Sequence, residues 1–331
     1  MRTTRIVVAL GLLLTVSSAS LADTLYASLR FTVPAAERPV ALSYCWDNQT
    51  WEVLYGDTGR VRFFSATGTE IGSYMPDLSP LTFMPSGFTA PRLADIMNTG
   101  TGNHTQGLVG NPTASLPPTF NGTKYVDTVH IASLNHEVLT ACPSQDLGVN
   151  SPLSAIRIEF NRNGSYWTST DKYVALLADG HTLAAWEQLG TPYLINLQDH
   201  GISAAQSVTS RYIDGNAVVL HDNVLTVVQR YVSYHRQGGD HGVPLASMTA
   251  STHSNIGDQV AEFNISGLPG GASLVDVENV FAWGDPWFAD QDRYFVLDQT
   301  TGGVYALVPE PATTALLALG GLTMLLRRRG R

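Results

Sequence analysis

Hydrophobic positions along the chain follow two regimes. Through the long middle, short runs of Val, Ile, Leu, Tyr, Phe and Thr alternate with clusters of Gly, Asn, Asp and Pro, and sustained 3.6-residue periodicity is missing. That pattern predicts a mostly β body. Near the two ends stand continuous apolar runs, residues 6–16 and 312–326, which belong to no strand pattern.

Five stretches in the body share one shape, a strand, a tight polar turn and a second strand. Residues 51–55 turn at 56–59 into 60–64; 129–134 turn at 135–137 into 138–140; 173–177 turn at 178–181 into 182–186; 217–220 turn at 221–223 into 224–228; 294–297 turn at 298–303 into 304–307. Asp and Gly suit such corners, because a short carboxylate caps the turn and glycine accepts positive φ. The turn residues Asp57, Asn135, Asp179, Asp222 and Asp298 are separated by 78, 44, 43 and 76 positions. A unit of about 40 residues fits if degraded copies lie near Asp95 and Asp258, and about seven such units would fill the body. The expected fold is therefore all-β, a β-propeller of about seven blades, with a β-sandwich as the alternative. Residues 173–186 loosely resemble a hairpin of the chromosome-condensation-regulator repeat, which is itself a propeller repeat.

The ends add targeting information. Arg2 and Arg5 precede the first apolar run, and Ser20-Leu21-Ala22 supplies small residues where a signal peptidase reads, so 1–22 is expected to be a signal peptide. Residues 23–308 are then one β-rich extracytoplasmic domain, since no linker or low-complexity stretch divides them. At the other end Pro309-Glu310-Pro311 precedes the run 312–326, which is followed by Arg327, Arg328 and Arg329. As a helix the run is roughly 22 Å long at 1.5 Å per residue, short of the ~30 Å hydrocarbon core, so it would span as a short transmembrane helix only with thinning or snorkelling. The arginines favour the cytoplasmic side. Prolines on both sides of Glu310 disfavour helix and predict an extended, accessible segment beyond a last strand at 304–307.

This order of Pro-Glu-Pro, short apolar span and arginine cluster resembles the PEP-CTERM sorting signal of exported bacterial proteins. The resemblance covers residues 309–331 and leaves the body unassigned. It implies recognition by an exosortase-type processing enzyme, a cut near Pro309-Glu310-Pro311, transient anchoring in the inner membrane, and a periplasmic, cell-surface or extracellular destination associated with exopolysaccharide.

Charge narrows the partners. Six of the 19 basic residues lie in the two ends, leaving 13 against 28 acidic ones and a formal charge of −15 on the exported body, or −14 if Glu310 is removed with the tail. Such a body repels nucleic acid and anionic headgroups, which leaves neutral glycans, cations and other proteins. Cys45 and Cys142 are the only cysteines, and outside the cytoplasm the pair is read first as a disulfide. Its loop of nearly 100 residues would contribute up to ~4.7 kcal/mol in the chain-entropy treatment. Two buried thiols are the alternative.

Candidate chemistry is sparse. Gly-x-Ser-x-Gly, His-Glu-x-x-His and a Walker loop are absent, and Gly100-Thr101-Gly102-Asn103 has no helix after it to make a phosphate site. His235, Asp240 and His241, with Asp199 and His200, are the densest potential zinc donors, though a glycine-rich polar loop explains them equally. Asp285, Asp290 and Asp292 come from one loop and would suit calcium, but their spacing matches no EF-hand. Trp283, Trp287 and Phe288 beside them suit sugar stacking or core packing. Glu187, Glu262 and Glu278 are conceivable acid-base residues. No catalytic residue and no cofactor is expected. The functional expectation is an exported surface or matrix-associated protein with a structural or binding body; the alternative is a secreted metal-dependent propeller hydrolase.

Overall fold

The computed structural model describes residues 24–45, 49–75, 92–98, 104–110, 128–132, 138–142, 153–159, 172–187, 193–211, 216–230, 257–281 and 292–309. Among them the regular structure is β throughout, apart from two single-turn 3-10 helices at Ala35–Glu37 and Leu197–His200. No described helix is long and apolar enough to cross a membrane. Residues 1–22, Glu310, Pro311, the run 312–326 and the arginines Arg327, Arg328 and Arg329 lie outside the described residues.

After β1 (Thr24–Thr32) the strands form antiparallel meanders of four. The first joins β2 (Pro39–Cys45), β3 (Thr50–Tyr55), β4 (Arg60–Ser65) and β5 (Glu70–Tyr74) in sequence order. The second joins β6 (Arg92–Asn98), β7 (His104–Gly110), β8 (Thr128–Ala132) and β9 (Val138–Cys142). The third joins β10 (Leu153–Glu159), β11 (Lys172–Leu177), β12 (Thr182–Glu187) and β13 (Tyr193–Asn196). The fourth is β14 (Ser207–Ser210), β15 (Ala217–His221), β16 (Val224–Val228) and β17 (Gln259–Ser266). The fifth is β18 (Leu274–Phe281), β19 (Asp292–Asp298) and β20 (Gly303–Pro309), completed on its outer side by β1. A short parallel pairing of β1 with β17, Thr24↔Asn264 to Tyr26↔Ser266, fuses the last two meanders into one eight-stranded sheet.

The first strands of the five meanders contact one another in a cycle, β2 with β6, β6 with β10, β10 with β14, β14 with β18, and β18 again with β2. Apolar cores lie between successive meanders. Between the fifth and first, Phe31, Trp51, Phe64 and Phe295 pack together, with the Trp51 and Phe295 rings 4.7 Å apart. Val218, Val227, Val296 and Leu307 fill the space between the fourth and fifth, and Leu176, Leu183, Val208 and Val219 that between the third and fourth.

All five expected hairpins are present as antiparallel pairs. Their turns are not all equivalent. Asp57, Asp179, Asp222 and Asp298 lie between the second and third strands of their meanders, whereas Asn135 falls between the third and fourth. Asp95 lies within β6 and Asp258 immediately before β17, so neither marks the hairpin turn that a count of about seven units requires of it. The described strands make five meanders. Short carboxylates cap two of the four equivalent corners: Asp179 accepts the backbone N–H of His181 and of Thr182, each at 2.9 Å, and Asp298 that of Thr300 at 3.0 Å. Gly302 closes the last corner at φ 69°, and a Cβ there would stand 2.0 Å from the Val33 carbonyl oxygen, so only glycine fits.

The last strand runs further than expected. β20 extends through Pro309, which stands opposite Leu25 in β1, so the first proline of Pro309-Glu310-Pro311 belongs to the sheet. Proline suits a strand's end because it cannot donate to the next rung.

Candidate functional site

Four of the five first strands, all but β14, begin with a similar segment. Register breaks occur at Pro39/Ala41 in β2, Leu93/Asp95 in β6, Leu153/Ala155 in β10 and Leu274/Asp276 in β18. A bulge re-aims the side chains next to it. Asp95 and Asp276 follow the break directly, and Arg157 and Glu278 stand two residues further along. Four ionisable side chains from three strands thereby meet inside the ring of first strands.

Arg157 is their hub. Its Nη1 donates to Asp95 Oδ2 at 2.6 Å, its Nη2 to Asp276 Oδ1 and Oδ2 at 2.7 and 2.8 Å, and its Nε lies 3.3 Å from Glu278 Oε2. The side chains of Arg157, Asp95 and Asp276 are almost wholly buried, while Glu278 keeps 12 % of its surface. Backbone and hydroxyl donors complete the set. Asp276 accepts from Leu42 N–H at 2.6 Å, Val277 N–H at 2.9 Å and the Ser207 hydroxyl; Glu278 accepts from Tyr44 N–H at 3.3 Å; Asp95 accepts from Ile96 N–H at 2.9 Å. Groups on β2, β6, β10, β14 and β18 thus all take part.

Burial and charge pull these groups in different directions. Burial by itself would lower the Arg157 pKa, but Asp276, Asp95 and Glu278 outweigh it and hold the guanidinium above its ordinary value. Burial pushes the Glu278 carboxyl up to about 8, only partly opposed by Arg157 and the Tyr44 N–H, so Glu278 carries a proton at neutral pH. Burial likewise pushes Asp276 up to about 6 against the pull of Arg157, which leaves it ionised at pH 7. The result is a guanidinium facing carboxylates and one carboxylic acid, each with hydrogen-bond partners. Such a centre binds strands to one another. Its cation is a side chain standing where several acidic groups would otherwise gather around a metal.

Sequence reasoning reached only part of this centre. Glu278 is among the conceivable acid-base residues, and the 40-residue spacing puts Asp95 near a turn, whereas it stands in a first strand. Arg157 and Asp276 carried no expectation. A signal exists: Leu93-Ala94-Asp95-Ile96, Leu153-Ser154-Ala155-Ile156 and Leu274-Val275-Asp276-Val277 share a pattern at spacings of 60 and 121 residues. That period is longer than the 40 taken from the turns, and it marks the start of meanders.

Other candidates stand apart. Glu262 is exposed on β17, beside Gln259 Nε2 at 3.3 Å. Glu187 ends β12, and Asp292 opens β19. Asp199 and His200 sit in the second 3-10 helix, where a His200 ring nitrogen lies 2.5 Å from the Gly257 carbonyl oxygen. Asp285, Asp290, Trp283, Trp287, Phe288, Asp240 and the histidines 235 and 241 lie outside the described residues, as does the glycine-rich segment 100–103. Among the described residues no group of three or more His, Cys, Asp and Glu is placed to hold a metal. Cys45 is buried at the end of β2. Cys142 ends β9 with its side chain outside the description, so the expected disulfide lies there too.

No protein-family model matches the chain, and no curated protein matches it. Among solved structures the chain is similar to hydrazine synthase of Kuenenia stuttgartiensis at 11 % identity, over 82 % of this chain and 66 % of that one, with a TM-score of 0.35. A likeness that loose transfers neither fold nor activity.

Proposed function

We propose that the body is a five-bladed β-propeller serving as a structural or binding module of an exported protein, delivered through its C-terminal sorting signal. Each four-strand meander is a blade with its first strand innermost. Five meanders whose first strands touch in a cycle support this reading over a sandwich, in which two sheets face each other without closing a ring.

One observation carries the delivery half of the proposal. Leu25 and Pro309 are register partners, so the chain enters the body and leaves it at neighbouring points on one sheet. The expected signal peptide ends two residues before Thr24, and the expected sorting signal starts at Pro309. Both apolar flanks would thus reach one membrane from the same edge of a folded body. The signal peptidase and an exosortase-type enzyme are the processing partners. With a formal charge of −14 once the tail including Glu310 is gone, the body suits neutral extracellular polysaccharide or protein rather than nucleic acid.

Replacing Pro309, Glu310 and Pro311 together by alanine tests the delivery half. The wild-type chain should be shortened and leave the membrane fraction, while the variant keeps its tail mass and stays membrane-bound. Equal mass and equal fractionation for the two would overturn the sorting reading.

The second reading, a metal-dependent propeller hydrolase, draws on Asp95, Asp276 and Glu278 coming together from two blades. Arg157 weighs against it by already pairing with all three. Calcium is the cation that the Asp285, Asp290 and Asp292 loop would suit. Stoichiometric divalent metal in the purified body, found by elemental analysis, would favour the hydrolase.

A further inference from the structure

β20 is held unequally by its two neighbours. β19 pairs with it only across residues 304–306, whereas β1 pairs along its whole length from Gly303 to Pro309. The ladder partner of residues 307–309 is therefore β1. That strand is anchored inward by Ala27 and Phe31, both buried, and its continuation is fixed by Val33 N–H donating to the Gly302 carbonyl at 2.8 Å.

A protease binds its substrate extended, through backbone groups that must be unpaired, and so it acts on chain that has left its sheet. We propose that β1 sets the upstream limit of C-terminal processing. Docked on β20, it withholds residues 307–309 from any protease, so the cut falls after Pro309 and the mature body keeps β20 complete. The hydrolysis itself is ordinary: water adds to the scissile carbonyl and the amine leaves. The strand decides only where the bond is accessible. This inference rests on the sorting reading for its biological setting, though its physical content is independent of it.

The test uses the full chain in detergent micelles and proteinase K, which needs no sorting motif. The C-terminus of the protected body is then read by intact mass. The wild-type boundary should lie at Pro309 or beyond. Ala27→Asp, which puts a charge at a buried position opposite Leu307, should undock β1 and move the boundary upstream by up to the three residues 307–309. Leu25→Pro perturbs the last rung with β20 and its pairing to Ile265 of β17, leaves the buried Ala27 and Phe31 in place, and should give a smaller shift with the thermal transition retained, which covers the case where Ala27→Asp fails to fold. A wild-type boundary upstream of Pro309, or an unchanged boundary in a folded variant, overturns the proposal. Failure of the sorting reading is seen separately, in the alanine replacement of Pro309-Glu310-Pro311.

Discussion

Asp276 Oδ2 accepts the backbone N–H of Leu42 at 2.6 Å across a sequence separation of 234 residues. This bond ties β18 to β2 and closes the cycle of first strands. The same carboxylate takes two contacts from Arg157 on β10 and the Ser207 hydroxyl on β14, so one side chain joins four of the five first strands.

Arg157→Met should therefore be strongly destabilising. It leaves Asp95, Asp276 and Glu278 buried without their cation, and breaking a buried ion pair from one side costs about 3–5 kcal/mol. Urea unfolding should show the midpoint falling with little change in slope. A midpoint within error of wild type would mean that the centre holds nothing together.

The pH dependence follows from Glu278 and Asp276. Their folded pKa values are raised, from 4.5 to about 8 and from 3.8 to about 6, so the folded chain binds more protons than the unfolded chain between those limits. The contribution is fully present below about pH 4 and is lost as pH rises through 6 and then 8. The melting temperature should fall between pH 5 and pH 8.5, and Glu278→Gln should flatten the upper part of that slope. A melting temperature that rises across the window in wild type would contradict the assignment.

Trp51→Ala tests the core between the fifth and first meanders. Trp51 lies 4.7 Å from Phe295, 4.8 Å from Tyr44 and 6.0 Å from Phe31, ring to ring. Truncation should cost about 3–5 kcal/mol and free β1 along with β3, because Phe31 loses its support. Amide exchange should quicken in Thr24–Thr32 as well as in Thr50–Tyr55.

Gly302→Ala addresses the turn before the last strand. With φ at 69° and the Val33 carbonyl oxygen 2.0 Å from the new methyl, the substitution should cost more than the ~1 kcal/mol of unfavourable φ alone. Gly201→Ala has a similar φ of 76° but open space around it, and should cost only the conformational part. Equal losses of melting temperature would remove the steric argument.

Much of the local structure was legible in the sequence because hairpins are encoded locally. Short apolar runs and an Asp or Gly at the corner suffice to specify Lys172–Leu177 turning into Thr182–Glu187, and the same chemistry serves the corner at Asp298. The count of units was harder to read. Turn-type residues suit any corner of a meander, and Asn135 comes in sequence between a third and a fourth strand, whereas the segments around Asp95, Ala155 and Asp276 mark one place in each and recur at longer spacing.

By itself, the sequence determined the β character, five hairpins and the excess negative charge, since each depends on residues close together or simply counted. Tertiary structure decided that β1 completes the last meander, that Pro309 lies within the sheet opposite Leu25, and that Arg157 meets Asp95 and Asp276. These pairings join residues 62 to 284 positions apart, and nothing in either partner's neighbourhood announces the other. An arginine within a strand reads as exposed until ring closure shows that it lies inside, among the carboxylates that make its burial tolerable.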